Sequence, residues 1–202
     1  ECEFLGSVNT LINPSKLKNL VYENPIQKSA GLDVYEAPRK NHNYLITVDV
    51  ARGLGNDYSA FIVFDITNFP YKAVAKYRNN EIKPMLFPSI IDDIGKAYNK
   101  AFILCEVNDI GDQVASILNY DLEYDNLLMC SQRGRAGQVV GAGFSGKRSQ
   151  LGVRTTQAVK KLGCSNLKTL LEDDKILIID YDIISELTTF SQKHNSFEAE
   201  EG

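Results

Sequence analysis

Between Tyr44 and Tyr77 the hydrophobic pattern has the two-residue period of strands, and beyond Pro88 it changes to the period of helices. Residues 44–50 (Tyr-Leu-Ile-Thr-Val-Asp-Val) are rich in β-branched and aromatic side chains, which suit a pleated surface. Gly53, Gly55, Asn56 and Asp57 then signal a turn. Residues 59–66 read as the returning strand, and after Pro70 residues 71–77 read as a third. Together these make an antiparallel meander. Residues 88–98 carry apolar positions at helical spacing, residues 101–107 form a compact apolar strand of the buried parallel type, residues 111–120 a second amphipathic helix, and residues 126–130 a further strand. Three strands followed by helix, strand, helix, strand predict an α/β layer: a mixed sheet of about five strands flanked by helices.

The flanks are less regular. Residues 1–40 are broken by Pro14, Pro25 and Pro38, with a short helix expected from Pro14 to Leu20, and read as an extension of a single domain. The 202 residues suit one domain. The chain opens without Met, which suggests a piece of a longer polypeptide. Residues 153–162 read as a helix, Ser165 as the cap of another reaching Glu172, residues 176–179 as a last short strand, and Asp182 as the cap of a helix through Phe190. The tail, residues 197–202, is expected to end without a stabilising element.

Charge is unevenly spread. Residues 131–168 hold eight basic side chains, no acidic one, and seven of the fourteen glycines. The net charge of −4 therefore divides into +8 on this basic lobe and −12 on the remainder. The first half of the lobe is expected to be a mobile loop. Mild overall acidity thus does not exclude a nucleic-acid partner. No apolar run approaches the ~18–20 residues of a membrane span, so no membrane partner is expected. Cys2, Cys105, Cys130 and Cys164 show no CxxC spacing, and with only His42 and His194 no zinc cluster assembles. The cysteines read as small buried hydrophobes in a reducing cytoplasm.

Two carboxylates stand out. Asp49 and Glu106 each follow an apolar strand, where desolvation is costly unless the group is paired or bound to metal. If the two strands are parallel neighbours, both carboxylates emerge at one sheet edge and can share Mg²⁺ or Mn²⁺, with two ions suiting in-line attack of water on a phosphodiester. The other account is that each pairs with a nearby cation. Asp57 reads as a turn residue or as metal support. Asn108 and Asp109 read as helix caps, Asn108 with a possible metal role. Residues 141–148 (Gly-Ala-Gly-Phe-Ser-Gly-Lys-Arg) nearly match a Walker A loop, but Arg148 replaces the Ser or Thr and no strong strand leads in, so the loop does not read as a nucleotide site. Arg133, Arg135, Lys147, Arg148, Arg154, Lys160 and Lys161 are candidate contacts to a phosphate backbone, against the alternative of a solvated loop.

Several ordered runs resemble the large terminase subunit of tailed bacteriophages, nearest the T-even-like group. They are Glu3-Phe4-Leu5-Gly6-Ser7 with Thr10-Leu11-Ile12, Asp49-Val50-Ala51-Arg52-Gly53 with Asp57-Tyr58-Ser59-Ala60, and Glu106-Val107-Asn108 with Gly111. Gly163-Cys164-Ser165-Asn166-Leu167-Lys168 and residues 196–202 (Ser-Phe-Glu-Ala-Glu-Glu-Gly) continue the likeness. The resemblance implies a C-terminal nuclease domain with a ribonuclease-H-like fold, an endodeoxyribonuclease that cuts concatenated double-stranded viral DNA. It makes Asp49 and Glu106 the first two metal-holding catalytic carboxylates, and it expects the third just after Gly202, so the site is expected to be incomplete in this stretch. Asp180 and Glu198 are not assigned that role. Arg52 stands where relatives carry an acidic residue, and residues 132–150 look longer than in relatives. Implied partners are DNA, the ATPase domain of the same protein (absent from these residues), the portal and the small terminase subunit, in the host cytoplasm. Alternative readings are a junction resolvase or hybrid nuclease of the same fold, and a non-catalytic DNA-binding or docking module.

Overall fold

A computed structural model describes residues 10–132, 137–142, 149–193 and 196–198. The chain enters through a short helix, α1 (Pro14–Lys18), whose cap Asn13 accepts the Ser15 N–H. A small hairpin follows, β1 (Gln27–Ser29) and β2 (Leu32–Val34), which the proline-broken sequence did not announce. The meander is β3 (Tyr44–Asp49), β4 (Ser59–Asp65) and β5 (Tyr71–Asn79), with antiparallel pairing throughout. Burial along β3 alternates up to Asp49, where the chain meets solvent.

Helix α2 (Phe87–Ala97) carries the chain across to β6 (Phe102–Cys105), which pairs parallel with β3. Helix α3 (Gly111–Ser116), continued by a π-helical turn over Ile117–Asp121, leads to β7 (Leu128–Ser131). The main sheet runs β1-β2-β5-β4-β3-β6, and β7 touches it through the parallel bridge of Ile103 with Leu127. The expected order of strands and crossovers is therefore present. The sheet has more than the expected five strands because the early hairpin and a late strand, β10 (Ile176–Leu177), both attach to β5.

One face of the sheet buries Ile46, Val48, Phe61, Val63 and Tyr77 under α2 and α3. Phe61, Tyr77 and Phe87 stack there, with ring centroids 5.1–6.1 Å apart. Burying aromatic side chains of this size supplies much of the area that holds such a layer together.

The basic lobe is more ordered than a mobile loop. Strands β8 (Val139–Ala142) and β9 (Ser149–Leu151) both pair antiparallel with β7, because β7 has two free edges to offer beyond β6. The two helices expected over 153–172 are one, α4 (Gln157–Glu172), capped by the Thr156 hydroxyl. Gly163 stands inside it, exposed, at a cost of only about 1 kcal/mol against alanine. Val153 is drawn out of the helix because its backbone pairs with residues 105–107. After β10 (Ile176–Leu177), helix α5 (Tyr181–Thr189) is capped by Asp180 rather than Asp182. The last described elements, β11 (Ser191–Lys193) and β12 (Ser196–Glu198), form a hairpin near the chain end. Helices α1, α4 and α5 cover part of the sheet's second face, where Ile62 and Phe64 meet Leu17, Leu171 and Leu187. Cys105 and Cys130 are buried free thiols and Cys164 is half-buried, as small hydrophobes would be. Among the described residues no helix is long and apolar enough to cross a membrane.

Candidate metal centre

Parallel pairing sets Val48 opposite Cys105, and the Glu106 N–H donates to the Val48 carbonyl at 2.9 Å. The next row of the sheet therefore sets Asp49 beside Glu106. Their side chains leave the same face at the C-terminal ends of two parallel strands. This is the shared edge that the sequence allowed only as one alternative.

The carboxyls crowd each other. Burial, then the Glu106 charge, then a hydrogen bond shared with Glu106 push the Asp49 carboxyl up to about 6. Asp57, an exposed turn residue, adds to the same effect. No described lysine or arginine forms an ion pair with either Asp49 or Glu106, so the account in which each neutralises a nearby cation does not hold among the described residues.

Glu106 is held from three sides. Asn108 Nδ2 donates to Glu106 Oε1 at 3.0 Å and to the Thr155 carbonyl at 3.1 Å. Asn108 is thus a clamp on the carboxylate, not a helix cap. Helix α3 begins so close beneath that a Cβ on Gly111 would lie 2.0 Å from the Glu106 carbonyl oxygen. On the other side stands Gly152, at a φ of +75°, where an added Cβ would lie 2.2 Å from the Cys105 carbonyl oxygen. Both glycines are places where only hydrogen fits.

Asp49, Asp57, Arg52, Tyr58, Asp109 and Glu186 share one cavity of about 670 Å³. Arg52 is held by Asp109 in a two-pronged ion pair, at 2.9 Å for each hydrogen bond, so Asp109 is no cap either. Glu186, on α5, had no signal in the sequence: it is one glutamate on an amphipathic helix, far along the chain. A neighbouring open groove, lined by Thr47, Ala60, Ile62, Leu104 and Val153, leads to the same two carboxylates across the sheet face.

Of the candidate DNA contacts, Arg154 is exposed directly after Val153, which bridges to Glu106. Lys160 is half-buried and Lys161 exposed on α4, where Lys161 lines a separate cavity with Gln192 and Phe197. Arg133, Arg135, Lys147 and Arg148 lie outside the described residues. Asp180 is not at this edge: it is buried, 2.7 Å from Lys76 Nζ and 2.5 Å from the Tyr35 hydroxyl. Glu198 stands on the last hairpin. No group of three or more His, Cys, Asp or Glu residues positioned to hold a metal occurs among the described residues. The two carboxylates present are hard oxygen donors without a counter-charge, which fits part of the shell of a hard divalent cation.

The sequence model of the terminase RNaseH-like domain matches residues 46–202. The chain belongs to the terminase RNaseH-like family. Solved structures of terminase nucleases share its fold. The large terminase nuclease of thermophilic phage G20c with bound magnesium has a TM-score of 0.70 at 20% identity, over 96% of this chain and 90% of that one. The same nuclease with bound cobalt has a TM-score of 0.69 at 21% identity, covering 96% and 89%. The nuclease domain of the Thermus phage P74-26 large terminase has a TM-score of 0.63 at 22% identity, covering 93% and 83%. The ribonuclease-H-like order of this terminase domain is the meander β5-β4-β3 extended by parallel β6.

Proposed function

We propose that this terminase domain is a metal-dependent endonuclease that cuts concatenated double-stranded viral DNA when packaging starts and ends. The observation that carries the reading is the Asp49–Glu106 row: two carboxylates at one parallel-strand edge, unneutralised by any described cation, with Asp49 pushed up to about 6 by burial first and by the neighbouring Glu106 second. In this reading Asp49 and Glu106 would hold Mg²⁺ or Mn²⁺, together with a further carboxylate that the family resemblance implies. A bound ion supplies charge stabilisation for the phosphate and a nucleophilic water at neutral pH.

The chain's own residues do the positioning. Asn108 fixes the Glu106 carboxylate through Oε1. Gly111 and Gly152 keep the backbone tight behind it, so the carboxylate does not recoil. Asp57 adds negative charge at the cavity mouth and attracts cations. Arg154 and the cations of the basic lobe hold the DNA backbone without reading bases, so cut positions are set by the rest of the motor. Cleavage would leave a 3′-hydroxyl, as in related folds. The protein works in the host cytoplasm with its own ATPase domain, the portal and the small subunit. The quoted motifs support reading it as nearest the T-even-like group.

The test is cleavage of plasmid by the full-length protein in Mg²⁺ or Mn²⁺ and in chelator, with Asp49→Ala and Glu106→Ala beside it. Cleavage that needs the metal and both carboxylates is the expected result. Metal-independent cutting, or a fully active Glu106→Ala protein, rejects the reading. Junction and RNA–DNA hybrid substrates run in parallel separate it from other nucleases of this fold.

A further inference from the structure

The row that holds the two carboxylates continues across the sheet. Asp49 on β3 faces Ala60 on β4, and Ala60 faces Arg78 on β5. Side chains directly opposite on neighbouring strands share a face. One row therefore presents Glu106, Asp49, Ala60 and Arg78 in order. With strands about 4.8 Å apart, the Arg78 backbone stands on the order of 10 Å from that of Asp49. Between them is only the methyl group of Ala60.

Arg78 is built to be presented, not consumed. Its guanidinium lies 3.9 Å over the ring of Tyr58, which is itself 41% exposed. Its one described ion pair, to Glu186, is long at 3.5 Å and open to solvent, with side chains 36% and 65% exposed. Such a pair contributes little to stability. Lys76, two residues earlier on the same strand and face, is the contrast: it is 6% exposed and bonded to Asp180 and Asp182 at 2.6–2.7 Å. The platform is also anchored. The loop that delivers Tyr58 is tied to the end of β5 by two bonds, Gly55 N–H to the Asn80 carbonyl and Asn80 Nδ2 to the Gly55 carbonyl, both 2.9 Å. An arginine whose face is stacked keeps its N–H edges free and oriented, which suits a phosphate diester.

We propose that Arg78, oriented by Tyr58, holds a DNA backbone phosphate flanking the one placed at Asp49 and Glu106, and that Glu186 occupies the guanidinium until DNA displaces it. The inference rests on the nuclease reading and adds to it a fixed anchor on the rigid sheet, distinct from the basic lobe.

The experiment is anisotropy of a labelled DNA duplex with the full-length protein in Ca²⁺, over a salt series, with plasmid cleavage in Mg²⁺ alongside. Arg78→Ala is expected to weaken binding about tenfold and lower the slope of log affinity against log salt by about 0.9. Arg78→Lys should restore the slope but only part of the affinity, and Tyr58→Leu should weaken binding with the slope kept. Glu186→Gln should tighten binding a few-fold. An Arg78→Ala protein with wild-type affinity and slope overturns the inference while leaving the nuclease reading intact. Loss of affinity with an unchanged slope overturns it too, because it would mean a packing defect. A Glu106→Ala protein that still cleaves rejects the nuclease reading instead, whatever Arg78 does.

Discussion

Asp49 and Asp180 are both aspartates on the second face of the sheet's neighbourhood, and their surroundings differ in one respect. Burial pushes the Asp180 carboxyl up, but hydrogen bonds from Lys76 and Tyr35 outweigh it and hold the group below the usual range. Burial pushes Asp49 up as well, and there the nearest charged group is another carboxylate, which pushes further. The first cluster is closed within the protein: lysine, tyrosine and helix cap satisfy the carboxylate. The second has no described cation beside it, and in the proposed function a metal ion would complete it. A buried acid with its own lysine reads as architecture, and a pair of acids without one reads as a site.

Removing the Asp49 carboxylate has the largest expected effect. Asp49→Ala is expected to reduce cleavage at least about a thousandfold with the fold intact, measured as single-turnover plasmid cleavage and thermal melting. Asp180→Asn should leave the chemistry in place. Lys76→Met should cost about 3–5 kcal/mol of stability in chemical denaturation, because it leaves Asp180 buried without its partner. Gly111→Ala bridges the two effects: the added methyl meets the Glu106 carbonyl, so a loss of about 1–3 kcal/mol and weaker Mg²⁺ binding by calorimetry are expected together.

The pH dependences have opposite signs. Asp49 has a raised folded value, so in metal-free protein its contribution is fully present below about 4 and is lost as pH rises through about 6. Added Mg²⁺ should restore the melting temperature above that pH. Asp180 has a lowered folded value, so its contribution is present above the ordinary carboxylate range and is lost as pH falls through the folded value. Melting curves of Asp49→Asn and Asp180→Asn should each flatten one limb of the wild-type profile. The smallest effect belongs to Asp109→Ala. Its pair with Arg52 is exposed on both sides, so stability should change by less than about 1 kcal/mol.

Much of the fold was legible because its signals are local. The alternation of residues 44–50 and 59–66, the helical spacing after Pro88, and the apolar run before Glu106 each show in a short window. The errors share a cause. Val153 has a helical neighbourhood in sequence but takes extended backbone because Cys105 and Val107 offer it hydrogen bonds. Strands β8 and β9 formed where a loop was expected because β7 had unpaired edges, which no local pattern records. Asn108 looked like a cap from its place before a helix, and it became a clamp because Glu106 and the Thr155 carbonyl lie within reach.

That Asp49 and Glu106 end apolar strands was readable from the residues alone, since an acid after a run of apolar residues marks where a strand leaves the core. The order of strands and helices between residues 44 and 130 was also legible there, through local periodicities. Only the tertiary structure decided that the two strands are parallel neighbours in a register that puts both carboxylates in one row, with Ala60 and Arg78 beyond them. Register depends on hydrogen bonds between residues distant in the chain, and a shift of one residue would turn Asp49 to the opposite face. The same long-range pairing gave Asp180 a lysine and set Asp49 beside a second carboxylate instead.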